Sequence, residues 1–122
     1  MKEVVIVGGG ASGLTAAITA ARNGKDVTLI ERNNKCGKKI LITGNGRCNF
    51  WNTDEDLSHF HSSTPNLLKD FITDERKNSI LKFFDSLGLA YKTKNGYYYP
   101  FSNQAFTIEN ALLSECKKLN IK

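Results

Sequence analysis

The 122-residue sequence has no long apolar run, and its longest uninterrupted aliphatic stretch is Val4–Val7. A membrane-spanning helix needs about 20 apolar residues and the core of a signal peptide about 7 to 15, so we expect neither, and we expect a cytoplasmic protein. Only two prolines occur and no tract is low in complexity, which argues against wholesale disorder. The composition, 40% hydrophobic and 24% charged, is that of an ordinary globular domain.

Cysteine is also scarce, and its pattern supports neither zinc ligation nor a disulfide framework. Cys36, Cys48 and Cys116 are odd in number and form no CxxC pair, which is typical of a reducing compartment. A neighbouring arginine could lower the pKa of Cys48, but we favour a small buried packing residue. His59 and His61 have no matching cage of cysteines or carboxylates in the sequence, so we expect surface histidines and no metal site.

Positive charge is concentrated in one segment of the chain. From Arg22 to Arg47 there are seven basic and two acidic residues, so this segment carries the whole formal net charge of +5. Such a field indicates an anionic partner, which is a phosphate group or a nucleic acid, or else a solvated surface. A basic nucleic-acid-binding domain is therefore an alternative, although no recognition-helix or RNP pattern accompanies the charges.

The N-terminal residues follow a strand–helix–strand pattern. Val4–Val7 is a β-branched run ended by glycines, as expected of a strand buried on both faces. The alanine-rich stretch from Ser12 to Asn23 predicts a helix that Gly24 terminates. The apolar run at residues 27–30 predicts a second strand. This length fits a βαβ unit with a parallel pair of strands.

The remainder of the chain combines helices with a hairpin. Two helices are predicted within Pro65–Leu87. Two β-prone runs flank Asn95-Gly96, a pair that closes a two-residue hairpin. A final helix is expected at residues 104–119, capped by Ser102 or Asn103. The fold class is therefore α/β: a Rossmann-like βαβ unit with further helices and an inserted β-hairpin.

The strongest motif is a GxGxxG pattern at Gly8, Gly10 and Gly13, with Ala11 and Ser12 inside it. In dinucleotide-binding loops the first glycine allows a tight turn and the second lets the backbone approach a pyrophosphate. The third glycine brings helix and strand together. The N–H groups at the helix start then hold the phosphate charge, so the motif predicts a dinucleotide site.

Glu31 adds to the context of this motif. It follows the second strand, where an acidic side chain accepts hydrogen bonds from a ribose. The competing interpretation is a glycine-rich turn without a ligand and a glutamate that faces water. No Lys-Ser or Lys-Thr pair follows the glycines, which excludes a Walker loop. An NAD-binding module uses the same fingerprint and stays open as an alternative.

A second glycine-rich segment spans residues 37–49. Asn45 lies between two glycines, and asparagine is among the few non-glycine residues that tolerate a left-handed backbone. Such a loop can form an anion-binding nest of N–H groups with basic side chains as charge partners. An exposed basic loop without a ligand is the alternative. The candidate residues of this segment are Lys38, Lys39, Gly44, Asn45, Gly46 and Arg47.

Three motifs together resemble a known family. The fingerprint near the N-terminus resembles flavoproteins of the glutathione-reductase-like superfamily, which bind FAD. GKKILITGNGRCN at residues 37–49 resembles the GRKxLxSGGGRCN signature of a bacterial family of NAD(P)/FAD-dependent oxidoreductases, among them aminoacetone-oxidase-like and bile-acid-dehydroxylation flavoproteins. GYYYPFSNQA at residues 96–105 is similar to the GRVFPxSxKA segment of that family. The resemblance covers almost the whole chain.

This resemblance implies that the chain holds the ADP half of FAD over Gly8–Gly13 and Glu31. In a complete enzyme, NAD(P)H would donate electrons to the flavin and a small molecule, which the sequence does not identify, would be the substrate. No catalytic acid, base or nucleophile is indicated. Further FAD contacts are implied for Ala11, Arg32, Lys38, Lys39, Gly44, Asn45, Gly46 and Arg47.

Asn45, Trp51 and Tyr97 stand where that family usually has glycine, threonine and arginine. Members of the family are also considerably longer. We therefore expect residues 1–122 to be the N-terminal portion of an FAD-binding domain, without the rest of that domain or a substrate domain. We expect such a chain to be inactive alone, and its open sheet edge to associate with another segment or chain.

Overall fold

The computed structural model describes residues 1–54 and 56–122, beginning with the predicted βαβ unit. Strand β1 (Glu3–Val7) is followed by helix α1 (Ala11–Arg22) and strand β2 (Asp26–Ile30). The strands pair in parallel, from Glu3 opposite Asp26 to Val7 opposite Ile30. Helix α1 buries Leu14 and Ile18 completely. The predicted order, type and approximate bounds of these three elements are confirmed.

The expectation that β1 is buried on both faces is wrong. Its residues alternate between partly buried and exposed, and Val5 and Val7 are 55% and 82% exposed. Helix α1 packs on one face of the parallel pair. The opposite face is exposed, because no second helical layer lies on it among residues 1–54 and 56–122. The β-branched run indicates a preference for strand, but it does not predict whether one face or both faces of that strand are covered by other elements.

The final residue of the chain extends the sheet on the far edge of β2. The Leu29 N–H donates to the Lys122 carbonyl (2.7 Å), and the Lys122 N–H donates to the Val27 carbonyl (3.0 Å). The Lys122 ammonium also pairs with Asp26 at 2.9 Å. Both edges of β2 therefore make backbone hydrogen bonds, whereas β1 is bonded to β2 alone among the described strands.

A second, antiparallel sheet contains the predicted hairpin and one strand that the sequence did not reveal. Strands β4 (Tyr91–Lys94) and β5 (Tyr97–Pro100) are joined by Asn95 and Gly96, both at positive φ, as expected for the hairpin. Strand β3 (Trp51–Asn52) pairs with the other edge of β5. A two-residue strand is too short for a periodic signal, so only its pairing identifies it.

Three further α-helices are α2 (Pro65–Phe71), α3 (Asp74–Ser86) and α4 (Ala105–Lys118), and short 3-10 segments lie at Ile40–Gly46 and Leu57–His59. The two helices predicted within residues 65–87 are confirmed, and Thr73 caps α3 by accepting from the Arg76 N–H. The predicted cap of α4 is wrong, because Gln104 is its N-cap residue and no side chain caps the helix. The Ser102 hydroxyl instead accepts from the Gln104 N–H, just outside the helix.

The core lies between α1, α4 and the second glycine-rich segment. The apolar stripe of α4 was predicted, and its residues Ile108, Leu112 and Cys116 are buried against Leu14 and Ile40. Phe50, Phe84 and Tyr91 pack at the rim of this core. Within the described ranges, no helix is long and apolar enough to cross a membrane.

Candidate functional site

The first glycine loop, Gly8–Gly13, turns sharply from β1 into α1. Gly8 has a φ of +102°, and its N–H donates to the Ile30 carbonyl at 2.7 Å. A Cβ atom on Gly13 would lie 1.8 Å from the Gly8 carbonyl oxygen. The turn therefore requires glycine at position 8 for its backbone conformation and at position 13 for space, as the sequence predicted.

Gly10 has a different environment from the other two fingerprint glycines. It is the N-cap residue of α1, and no side chain caps this helix. A Cβ atom on Gly10 would meet nothing within 4 Å, and Ala11 and Ser12 beside it are exposed. The start of α1 thus combines the positive end of the helix dipole with open space for a ligand.

Gly9 is a part of the site that the sequence analysis missed. Its N–H donates to Glu31 Oε2 at 2.7 Å, and its carbonyl accepts from the Gly37 N–H at 2.7 Å. A Cβ atom at this position would lie 2.4 Å from Cys36 Sγ. Gly9 therefore joins the first loop to the segment that follows β2. Position 9 is a variable position of the GxGxxG pattern, so the pattern does not require glycine there. The run of three glycines is the only feature of the sequence that points to it.

The Glu31 carboxylate lies beside the first glycine loop. Its Oε2 accepts from Gly9, and its Oε1 accepts from both the backbone N–H and the side-chain amide of Asn33 at 2.8 Å. The backbone N–H of Asn33, followed by that of Gly9, lowers the pKa of Glu31. The carboxylate is consequently ionised at neutral pH and held by Gly9 of the loop together with Asn33.

The second glycine loop spans residues 37–49. Its central part, Ile40–Gly46, consists of short 3-10 turns with a kink between them. Gly44, Asn45 and Gly46 have φ angles of 54°, 55° and 80°. The left-handed backbone expected at Asn45 is therefore confirmed. A Cβ atom on Gly44 would lie 2.5 Å from the Asn49 backbone nitrogen, so the loop folds tightly onto its own end.

Helix α4 packs closely on the start of this second loop and places a buried carboxylate beside Lys35, two residues before the loop. Glu109 is only 1% exposed, and its Oε1 lies 2.9 Å from the ammonium of Lys35. A Cβ atom on Gly37 would lie 3.0 Å from Glu109 Cγ, so the helix approaches the loop backbone closely. Glu109 was not predicted from the sequence, because a single acidic residue within a helical pattern gives no sign of burial.

The two loops meet at one cavity of about 600 Å³, the main cavity. Its walls come from the start of α1, the second glycine loop, α3 and α4. Of the predicted site residues, Gly10, Ala11, Ser12 and Lys39 line it, while the others lie outside its lining. The lining residues are Gly10, Ala11, Ser12, Thr15, Lys39, Ile40, Thr43, Cys48, Asn49, Phe50, Phe84, Ile108 and Leu112.

Several charges of the basic segment make contacts within the molecule. Arg22 pairs with Glu115 at 2.7 Å, and Lys35 pairs with Glu109. The Arg47 guanidinium lies 4.9 Å from the ring centre of Tyr99, in a cation–π contact. The remaining positive residues that were predicted as candidates, Arg32, Lys38 and Lys39, are exposed.

Cys48 is buried at the wall of the main cavity, as the sequence analysis favoured. Burial raises the pKa of its thiol, so the nearby arginine does not produce a thiolate. Burial likewise raises the pKa of Cys116 to about 11. Within residues 1–54 and 56–122, no group of three or more His, Cys, Asp or Glu side chains could hold a metal ion.

Both histidines are exposed, as expected. His59 also contacts two carboxylates, which the sequence did not predict. Its Nδ1 hydrogen-bonds to Asp54, and its Nε2 lies 3.8 Å from Asp56. The hydrogen bond to Asp54 raises the pKa of His59.

Comparisons with known proteins agree with this geometry. A 3-dehydro-bile acid delta(4,6)-reductase of Clostridium scindens is 42% identical over 100% of this chain and 30% of its own length. A ribosomal RNA dihydrouridine synthase of Haemophilus influenzae is 32% identical over 98% of this chain and 30% of its own length. The chain thus spans about a third of the length of these curated relatives.

A solved structure shows the same fold. THI4 of Thermovibrio ammonificans superposes with a TM-score of 0.63 at 23% sequence identity, covering 99% of this chain and 37% of that one. The family model described as "HI0933-like protein Rossmann domain" matches residues 2–122. With the parallel βαβ unit and its glycine loop, this match shows that the chain belongs to the HI0933-like Rossmann domain family.

Proposed function

We propose that this chain is the N-terminal segment of the FAD-binding domain of a flavin-dependent oxidoreductase, and that it holds the ADP half of FAD. The pyrophosphate lies over Gly8–Gly13 and the adenosine ribose at Glu31. The observation that carries the proposal is the uncapped start of α1 at Gly10, with open space where a Cβ atom would project. Helix N-termini of this kind bind phosphate through their N–H groups and dipole.

Glu31 is suited to hold a ribose. Its carboxylate is ionised and accepts three hydrogen bonds from Gly9 and Asn33. A carboxylate has about four lone-pair positions, so capacity remains for a ribose hydroxyl. The Gly9 contact fixes this carboxylate relative to the phosphate loop, as the two ends of an ADP group require.

The second glycine loop contributes charge and a left-handed backbone. Lys39 lines the main cavity, and Arg32 and Lys38 are exposed nearby in sequence. We assign FAD contacts to these three residues and to Gly44–Arg47. The stacking of Arg47 on Tyr99 restricts the guanidinium, which lowers the entropy lost when it binds an anion.

When bound, the isoalloxazine ring of FAD supplies the hydride and electron transfer, and the protein supplies binding and orientation. The relatives named as a reductase and a dihydrouridine synthase lead us to assign the complete protein to redox chemistry on a small molecule or a base, with NAD(P)H as donor. The residues of this chain hold the cofactor in that scheme: Gly10 admits the phosphate, Glu31 orients the ribose, and Lys39 offsets negative charge.

The direct test is a calorimetric titration of FAD, ADP and NAD into the purified chain. FAD and ADP should compete for one site, because the proposed contacts are to the ADP half. Gly10→Val places a branched side chain in the phosphate position and should abolish binding while leaving the fold intact, since a Cβ atom there touches nothing within 4 Å. Ala16→Val, on the exposed side of α1, is the matched control and should bind normally.

Three results would contradict the proposal or the role that it gives to Gly10. If Gly10→Val and Ala16→Val bind FAD equally, the first glycine loop is not the phosphate site. If NAD binds the purified chain more tightly than FAD, the alternative of an NAD-binding module is correct. Loss of far-UV circular dichroism in Gly10→Val would assign that glycine to the turn and not to the ligand.

A further inference from the structure

A second cavity, of about 340 Å³, lies between strand β3 and helices α2 and α3, and we call it the aromatic cavity. Trp51, Phe60, Phe71 and Ile80 contribute to its walls. Phe60, Phe71 and Ile80 are 38%, 62% and 40% exposed, so the apolar lining is open to solvent. This volume and this mixture of aromatic walls with a few polar groups are typical of sites for small molecules.

Arg76 is the polar group that most favours an anion in this cavity. Its guanidinium lies 4.7 Å from the ring centre of Phe71, which holds it at the cavity wall. Among residues 1–54 and 56–122, no carboxylate lies within 4 Å of it. Arg76 lies in the first turn of α3 together with the exposed acidic residues Asp74 and Glu75.

The other charged groups of the lining have partners. Lys77 lies 3.7 Å from Asp74, and the Asp54 carboxylate hydrogen-bonds to His59. The hydrogen bond to His59 is also the main cause that lowers the pKa of Asp54. Of the two cations that line the aromatic cavity, Lys77 is in an ion pair with Asp74. A ligand carboxylate can therefore bind Arg76 without displacing an ion pair among the described residues.

The aromatic cavity adjoins the main cavity. Asn49 and Phe50 line both of them. Phe50 is fixed between them by a contact with Phe84, whose ring centre is 4.6 Å away. A ligand in the aromatic cavity therefore lies one side chain away from the main cavity, which the start of α1 lines.

We propose that the aromatic cavity binds a compact apolar molecule that carries one anionic group, with the apolar body against Trp51 and Phe71 and the anion at Arg76. The binding itself is independent of the cofactor. The role of the ligand as a substrate beside the flavin rests on the proposed function above. Burial of the apolar body supplies affinity, and the charge-assisted hydrogen bond to Arg76 selects anions over neutral molecules.

Trp51 makes this proposal measurable, because it is the single tryptophan of the chain and lines the cavity. Adamantane-1-carboxylate should change the Trp51 fluorescence in a saturable manner. The neutral adamantane-1-carboxamide should bind at least about tenfold more weakly, as expected for loss of one charge-assisted hydrogen bond. Arg76→Gln should abolish this preference, whereas Lys82→Gln, an exposed cation on the same helix outside the lining, should keep it.

Circular dichroism on the same variants shows whether each one folds. The FAD titration shows whether a variant has lost the proposed cofactor site and not only the aromatic cavity. A folded Arg76→Gln chain that binds FAD like the wild type and binds both adamantanes equally supports the proposal. Equal binding of the two adamantanes to the wild-type chain, or no saturable change, would overturn it. Carboxylate binding without FAD binding would overturn the proposed function alone and leave this site in place.

Discussion

Apart from the contacts of Gly9 with Cys36 and Gly37, the first glycine loop is held by its own strand–helix–strand unit. The second glycine loop is held by α4, a helix far from it in sequence. Gly8 bonds to Ile30 at the end of β2, and Gly13 packs against Gly8 itself. The second loop instead packs on Ile108, Glu109 and Leu112 of α4. Both reach the same cavity.

This difference has a physical consequence for how each loop responds to mutation. A loop built from neighbouring elements depends on local sterics, so a single methyl group at the wrong glycine disrupts it. A loop held by a distant helix depends on contacts between the two, which here are apolar packing and the close approach of Glu109 to Gly37. The ion pair of Glu109 with Lys35, just before the loop, supports the same contact. The first should fail through strain and the second through loss of a tertiary contact.

The largest effect is expected from Gly13→Ala. Its methyl group would lie 1.8 Å from the Gly8 carbonyl oxygen, so helix α1 must move off the turn. We expect a loss of about 3 kcal/mol or more in the free energy of unfolding, measured by urea denaturation. Gly10→Ala is the matched control and should cost no more than about 1 kcal/mol, since its methyl group enters open space. Equal losses would show that the third glycine is not a packing requirement.

Glu31→Ala should weaken FAD and ADP binding roughly ten- to a hundredfold, through loss of one charge-assisted hydrogen bond to the ribose. The matched control is Glu3→Ala, an exposed carboxylate at the start of β1. Calorimetric titration gives both affinities. Unchanged affinity in Glu31→Ala would remove this residue from the site.

Glu31 also predicts a pH dependence of stability. Its pKa is lowered in the folded chain relative to its ordinary value of 4.5. Its contribution to stability is therefore present above pH 4.5 and is lost as the pH falls through the lower, folded pKa. Urea midpoints of wild type and Glu31→Ala should converge in that acidic range, and a constant difference would contradict this.

Lys35→Ala should lower the free energy of unfolding, measured by urea denaturation, by about 2 kcal/mol, because it leaves the buried Glu109 carboxylate without its cation. This is less than is usual for buried pairs, since the Lys35 side chain is 46% exposed. Adding Glu109→Gln should recover part of the loss, and Lys38→Ala, an exposed cation nearby, should be near neutral. If the losses in unfolding free energy of Lys35→Ala and Glu109→Gln simply add in the double variant, the two side chains do not interact.

The smallest effect concerns His59, which belongs to neither loop. Its hydrogen bond to Asp54 raises its pKa above 6.5, so the stability from this pair is fully present below pH 6.5 and is lost as the pH rises through the folded pKa. Titration by NMR should show this raised pKa in the wild type and a return towards 6.5 in Asp54→Asn. Identical titration curves would show that the pair does not form in solution.

The predictable parts of the fold are those set by neighbouring residues. The βαβ unit, the hairpin at Asn95 and Gly96, and the apolar stripe of α4 followed from periodicity and turn residues. The cap of α4 was misplaced because Ser102 bonds to Gln104 without being the N-cap residue. Strand β3 was missed because its two residues pair with β5, which lies far along the chain.

The candidate site divides in the same way. The residue types at Gly8, Gly13 and Asn45 indicated their backbone conformations or spatial requirements, because few residues tolerate a positive φ or a contact as close as that of Gly13. Which predicted residues share a cavity did not follow from the motifs. Gly10 and Lys39 line the main cavity, whereas Arg47 stacks on Tyr99 outside its lining.

The sequence by itself determined the parallel strand–helix–strand unit and the sharp turn of its glycine loop, because both depend on the intrinsic preferences of consecutive residues. Only the tertiary structure decided that Gly9 contacts Cys36, that Glu109 is buried against the second loop, and that the two loops open into one cavity. These features arise where segments far apart in sequence pack together, and burial at such contacts is a property of the assembled surfaces that no local pattern encodes.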